Sequence, residues 1–161
     1  ALGIHHFNRP TLTDEDLHAS FASLNFLLHR WNTSSFQANL YAIVGAGQSE
    51  LSGQSQGAGL GLVQFDIEDR RLYFLAKETQ ILASGHKDFQ QTIVRAGFAP
   101  YIEKYEGLHS WLIFEGERRR FSTGNYQEDL TPLLRLFYRN LLFEVGQSFK
   151  GHTKFNYIIH F

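Results

Sequence analysis

The chain has 161 residues, no cysteine and nearly balanced charge, with fifteen Lys and Arg against sixteen Asp and Glu. Disulfide-linked partners, thiolate metal sites and cysteine nucleophiles are therefore excluded, and a net charge of −1 argues against a globally basic nucleic-acid binder. An apolar fraction of 43% with fifteen phenylalanines excludes a disordered chain and implies a core built on aromatic rings.

This length suits one domain over residues 1–161. No apolar run approaches the roughly 20 residues of a membrane-spanning helix, so the expectation is a soluble, cytoplasmic protein with no membrane partner. Charge is uneven along the chain. Residues through Glu117 carry eight basic and thirteen acidic groups, whereas those from Arg118 onward carry seven basic and three acidic. A basic C-terminal part suits an anionic partner.

In chain order, residues 1–10 read as an irregular entry ending at Pro10. The next stretch, "TLTDEDLHASFASLNFLLHRW", predicts a helix, with Leu17, Phe21, Leu24, Leu28 and Trp31 on one stripe and Thr13 and Asp16 as a capping pair. A strand is predicted over Phe36 to Val44. The glycine-rich "GAGQSELSGQSQGAGLG" that follows is read as a mobile connection. It has Glu50 where a dinucleotide loop needs its third glycine, and no lysine for a phosphate-binding loop.

"LGLVQFDIEDRRLYFLAKE" predicts a β-hairpin turning at Glu68, Asp69 and Arg70. "HKDFQQTIVRAGF" predicts a short helix with Phe89, Ile93 and Val94 inward, stopped by Gly97. "APYIEKYEGLHSWLIFE" predicts two strands, and "EDLTPLLRLFYRNLLFE" a third helix with Thr131 as N-cap and Pro132 at its first position. "KFNYIIHF" closes the chain as a strand. The expected fold is α+β, a mixed, mostly antiparallel sheet of five to six strands with three helices.

Three groups of residues carry possible chemistry. Asp66 and Glu68 stand two apart, so on a strand both carboxylates leave the same face and suit a hard divalent cation. They are equally what a wet turn collects. His109 opens an apolar strand and suits a general base, an anion contact or a metal ligand, or a half-buried histidine with one hydrogen-bond partner. Arg118, Arg119 and Arg120, with Arg135 and Arg139, offer forks for phosphate, and Phe121, Tyr126 and Tyr138 offer rings for bases. A solvated strand end and a polar helix face explain the same arginines.

Asp-x-Glu on a strand, an intervening helix, then a strand leading into "EGLHSWLIFE" resembles the archaeo-eukaryotic primase superfamily, over about residues 60–116. The resemblance implies that Asp66 and Glu68 bind magnesium or manganese and that His109 contacts the phosphates of an incoming nucleotide. It departs from the family at Lys104-Tyr105-Glu106, where a Ser-Gly is usual, and leaves only Asp129 and Glu144 as a late third carboxylate.

Two readings follow. One is a non-catalytic interaction domain that engages nucleic acid or protein through its aromatic and arginine-rich surface. The alternative is a metal-dependent nucleotidyltransferase, with Asp66, Glu68 and His109 catalytic.

Overall fold

The computed structural model describes residues 1–9, 17–51, 53–84, 88–102, 107–121 and 124–159, and every regular element among them is a strand. The ten are β1 Leu2–Arg9, β2 Leu17–Asn32, β3 Gln37–Leu51, β4 Gln54–Glu68, β5 Leu72–Ala83, β6 Phe89–Phe98, β7 His109–Phe121, β8 Gln127–Tyr138, β9 Leu141–Gln147 and β10 Thr153–Ile159. Each pairs antiparallel with its chain neighbours, and the sheet order is the chain order. The meander curls into a half-barrel whose outer strands are β1 and β10.

This overturns the α+β expectation. All three predicted helices are strands, and the strands number ten, not five or six. The reason is arithmetic. A spacing of four residues returns a side chain to the same face of a helix, but four is also even, so it does the same on a strand. In β2, Leu17 and Phe21 are buried while Leu24 faces out. A bulge between Leu27 and His29 then inserts one residue, which moves the outward set from even to odd numbers and brings Trp31 out beside Phe65. The stripe read as helical therefore mixes residues of both faces, since Phe21 and Leu24 already differ before the bulge. In β6, Phe89 and Ile93 are buried and Val94 is exposed.

β8 holds the predicted cap residues. Thr131 is buried on the inner face, and Pro132 lies one residue beyond the β8–β9 ladder, which begins at Leu133 paired with Gly146. Its missing N–H therefore leaves no β9 partner unmatched. Thr13, Asp16, Lys104 and Glu106 lie outside the described residues. The predicted strand at Phe36 to Val44, the hairpin at 60–78 and the closing strand all appear, with β3 running on to Leu51.

The glycine-rich stretch is a long hairpin. Gly45 and Gly47 belong to β3, Gly53 takes the tip at φ 77°, and Gly57, Gly59 and Gly61 belong to β4. Gly47 sits opposite Phe21, and a Cβ there would lie 1.9 Å from the Ser20 carbonyl oxygen. The missing side chain admits the close approach of β2 at that level. Phe21 joins Leu17, Leu60, Ile81 and Phe89 in one apolar cluster inside the curl, and Tyr73, Leu75, Ile93, Ile113 and Leu133 form a second.

Gly47→Ala should therefore lose at least 2 kcal/mol of unfolding free energy by urea titration, roughly the cost of overpacking a close-packed site. Gly57→Ala, whose Cβ meets nothing within 4 Å, should stay within about 0.5 kcal/mol of the parent.

Candidate functional site

Alternation along β7 sets the character of the molecule. Phe114 is 53% exposed, and the next residue, Glu115, is 1% exposed. Register carries the pattern across the sheet. One outward row runs Leu40, Phe65, Ala76, Val94, Gly116, Leu130, and the next runs Ala38, Ile67, Phe74, Ala96, Phe114, Pro132. A third runs Leu72, Phe98, Leu112, Leu134, Val145, Phe155. The outside of the curl is a continuous apolar belt.

Buried charge is gathered on the inside. Glu115 and Glu117 of β7 and Glu144 of β9 are all buried. Arg95 of β6 donates from Nε to Glu115 at 2.6 Å and from Nη1 to Glu144 at 3.5 Å. Arg135 of β8 donates to the other Glu144 oxygen at 2.6 Å and stacks over Tyr73. The Lys154 ammonium of β10 bridges Glu115 and Glu117. Gln91 and Asn156 donate to Glu117 and Glu144. Three carboxylates and three cations thus share one network drawn from β6, β7, β8, β9 and β10. It borders a cavity of about 500 Å³ also lined by Lys77 and Ile93.

The residues singled out from sequence are divided by the same alternation. Asp66 and Glu68 both face inward, as their spacing requires. Asp66 accepts from Asn39 at 2.8 Å and from Gln64 at 3.2 Å. Glu68 and His109 line one open cavity of about 1260 Å³ at the mouth of the curl, with Trp111 and the 69–71 turn; Asp66 is not among its lining residues. The ring of His109 packs on Phe137. No group of three or more His, Asp or Glu among the described residues is arranged to hold a metal ion. The predicted helix between the two motifs is strand β6.

The late carboxylates both lie on strands, Asp129 against His152 and Glu144 in the interior network. The five arginines do not form one surface. Arg118 and Arg120 face out and both stack on Tyr126, at 3.5 and 4.7 Å from the ring centre. Arg119 turns inward, within 3.7 Å of Glu117, and Arg135 is inside. Arg139 occupies the β8–β9 turn at φ 53° beside Tyr138. Phe121 packs inward on Phe89. Sequence reasoning missed Arg95, Glu115, Glu117 and Lys154 altogether. A short signal was present in "LIFEGERRR", where Phe114-Glu115-Gly116-Glu117 alternates non-polar residues with charge at period two.

At the mouth, the Asp69 carboxylate accepts the N–H groups of Arg71 and Leu72, both at 2.6 Å. These two hydrogen bonds hold its pKa below the usual carboxylate value. Comparison of the chain with protein-family models, curated proteins and solved structures gave no match.

Two outcomes follow. Lys154→Met leaves Glu115 and Glu117 short of their shared cation and should cost about 3 kcal/mol in a urea titration, because a stripped buried carboxylate keeps its desolvation penalty. Adding Glu117→Gln, which leaves Glu115 paired with Arg95, should restore part of that loss. Asp69 is stabilising while ionised, so its contribution is present above the unfolded-state pKa and disappears as pH falls through its lower folded-state value. Asp69→Ala should therefore lower the melting temperature at pH 7, and the gap to the parent should close in acid.

Proposed function

We propose that this chain is a membrane-embedded β-structure whose apolar belt faces lipid and whose concave face gathers ion pairs. The carrying observation is the inverted polarity of neighbouring residues: Phe114 outside and exposed, Glu115 inside and buried. A water-soluble meander of this kind would put its charges outward and its phenylalanines inward. Here the outward rows carry Phe74, Val94, Phe98, Leu112, Phe114, Leu134 and Phe155, each more than a third exposed, and a contiguous exposed apolar surface marks an interaction face. Lipid-facing apolar residues alternating with inward polar ones are the pattern of strands that cross bilayers.

The belt has a border. On β5, β6 and β7, the outward row after Val94 is polar, with Glu78, Thr92 and Arg118 in register, and Gln80, Gln90 and Arg120 follow. The row that carries Gln80, Gln90 and Arg120 carries Leu24 and Val44 on β2 and β3. The apolar belt thus crosses the strands obliquely, as tilted strands with a sheared register require if the belt is to lie level in a membrane. No helix among the described residues is long and apolar enough to span a bilayer. That search does not bear on strands, which cross in about ten residues with only alternate positions apolar.

On the concave face, Arg95 and Arg135 pair with carboxylates of the neighbouring strands, and Lys154 reaches from β10 to Glu115 and Glu117 on β7. In lipid the open edges of β1 and β10 must also find partners, in each other or in another copy.

Urea-unfolded protein diluted into phosphatidylcholine vesicles should gain β-sheet circular dichroism and float with the lipid. Phe114→Arg should weaken insertion by about 2 kcal/mol or more, the cost of arginine on a lipid face near mid-bilayer. Glu128→Arg, beyond the border, should cost well under half as much. A parent protein that remains monomeric and folded in buffer without lipid or detergent, and ignores vesicles, would refute the reading.

A further inference from the structure

Resting on the membrane reading, we infer that the outer face carries a site for an anionic phospholipid, built where the apolar belt meets its polar border on β7 and β8. Gly116 has no side chain between Val94 and Leu130 in its row, and a Cβ there would meet only the Val94 carbonyl oxygen, at 3.9 Å. The gap is part of a trough of about 600 Å³ with Val94, Leu130 and Phe149 along its apolar part and Arg118 and Lys150 at its end. Phe149 is fixed over the trough by its own N–H, which donates to the Leu130 carbonyl at 3.0 Å.

Charge decides what fills it. Arg118 and Arg120 are brought together on one ring, that of Tyr126, although two cations repel. Arg118 has one carboxylate near, Glu128 at 3.7 Å and largely exposed. Arg120 donates to the neutral Gln90. Lys150 has no carboxylate partner among the described residues. Outward, Arg118, Arg120 and Lys150 stand against Glu128 and, in the row of Arg118, Glu78, beside an apolar trough that opens onto the belt; Glu117 and Asp129 also line the trough but are paired inside with Lys154 and His152. A phosphate head with acyl chains satisfies both halves: the phosphate oxygens accept from the guanidinium and ammonium groups, and a chain lies over Gly116. A free phosphate would use the cations and leave the trough wet.

The test uses the full chain in neutral maltoside micelles, with bound lipid counted by native mass spectrometry. Phosphatidylglycerol should be retained at least tenfold more tightly than phosphatidylcholine, and inorganic phosphate at the same concentration should not displace it. Arg118→Ala with Lys150→Ala should weaken retention on the order of tenfold, as expected when two basic groups near an anionic surface are removed. Gly116→Leu, which keeps every charge but fills the trough, should weaken it similarly. Glu128→Gln should strengthen it. Equal retention of the two lipids, displacement by inorganic phosphate, or indifference to both sets of substitutions overturns the inference. Vesicle insertion of the parent is measured alongside: if insertion succeeds and selectivity is absent, only the lipid site is lost, whereas failed insertion removes both.

Discussion

The shared ion pairs of Glu115, Glu117 and Glu144 are the constraint on which the rest of the molecule depends. Three buried carboxylates are unaffordable alone, since each would keep its full desolvation penalty. Arg95, Arg135 and Lys154 supply the compensating charge from three other strands. A strand cannot slip by one residue here without expelling its charges from the network and driving phenylalanine or leucine inward. Register across β6 to β10 is therefore held by electrostatics, while Phe21, Leu60, Ile81 and Phe89 hold β2 to β6 by packing.

Pairing of charge inside frees the outside to be apolar. The same alternation that buries Glu115 exposes Phe114, so the network and the belt are two faces of one constraint. The belt runs obliquely across the register and is bordered by Glu78, Thr92 and Arg118. Tyr126 at that border holds Arg118 and Arg120 on one ring. Trp31 stands on the outward face with Phe65, where an amphipathic ring suits the edge of an apolar layer.

The misreading of β2 shows how the sequence concealed the fold. Leu17 and Phe21 share a face on either a helix or a strand, and the step to Leu24 changes face while the apolar character continues, so residues of both faces read as one helical stripe. The β4–β5 hairpin was legible because its polar tip separates two alternating runs. That Asp66 and Glu68 share a face was legible for the same reason, since a spacing of two puts both on one side of a strand, although not which side. Arg118, Arg119 and Arg120 read as one basic patch because a string of letters does not show that consecutive strand residues face opposite ways.

By itself the sequence determined composition, the absence of cysteine chemistry, the positions of several turns and the period-two alternation in "LIFEGERRR". Only the tertiary structure decided which of the two alternating sets is inside. Both faces of most strands mix apolar and polar residues, and local preference does not favour either direction of curl. The choice is made collectively, when carboxylates on β7 and β9 find cations on β6, β8 and β10, and those partners lie up to 49 residues apart in the chain.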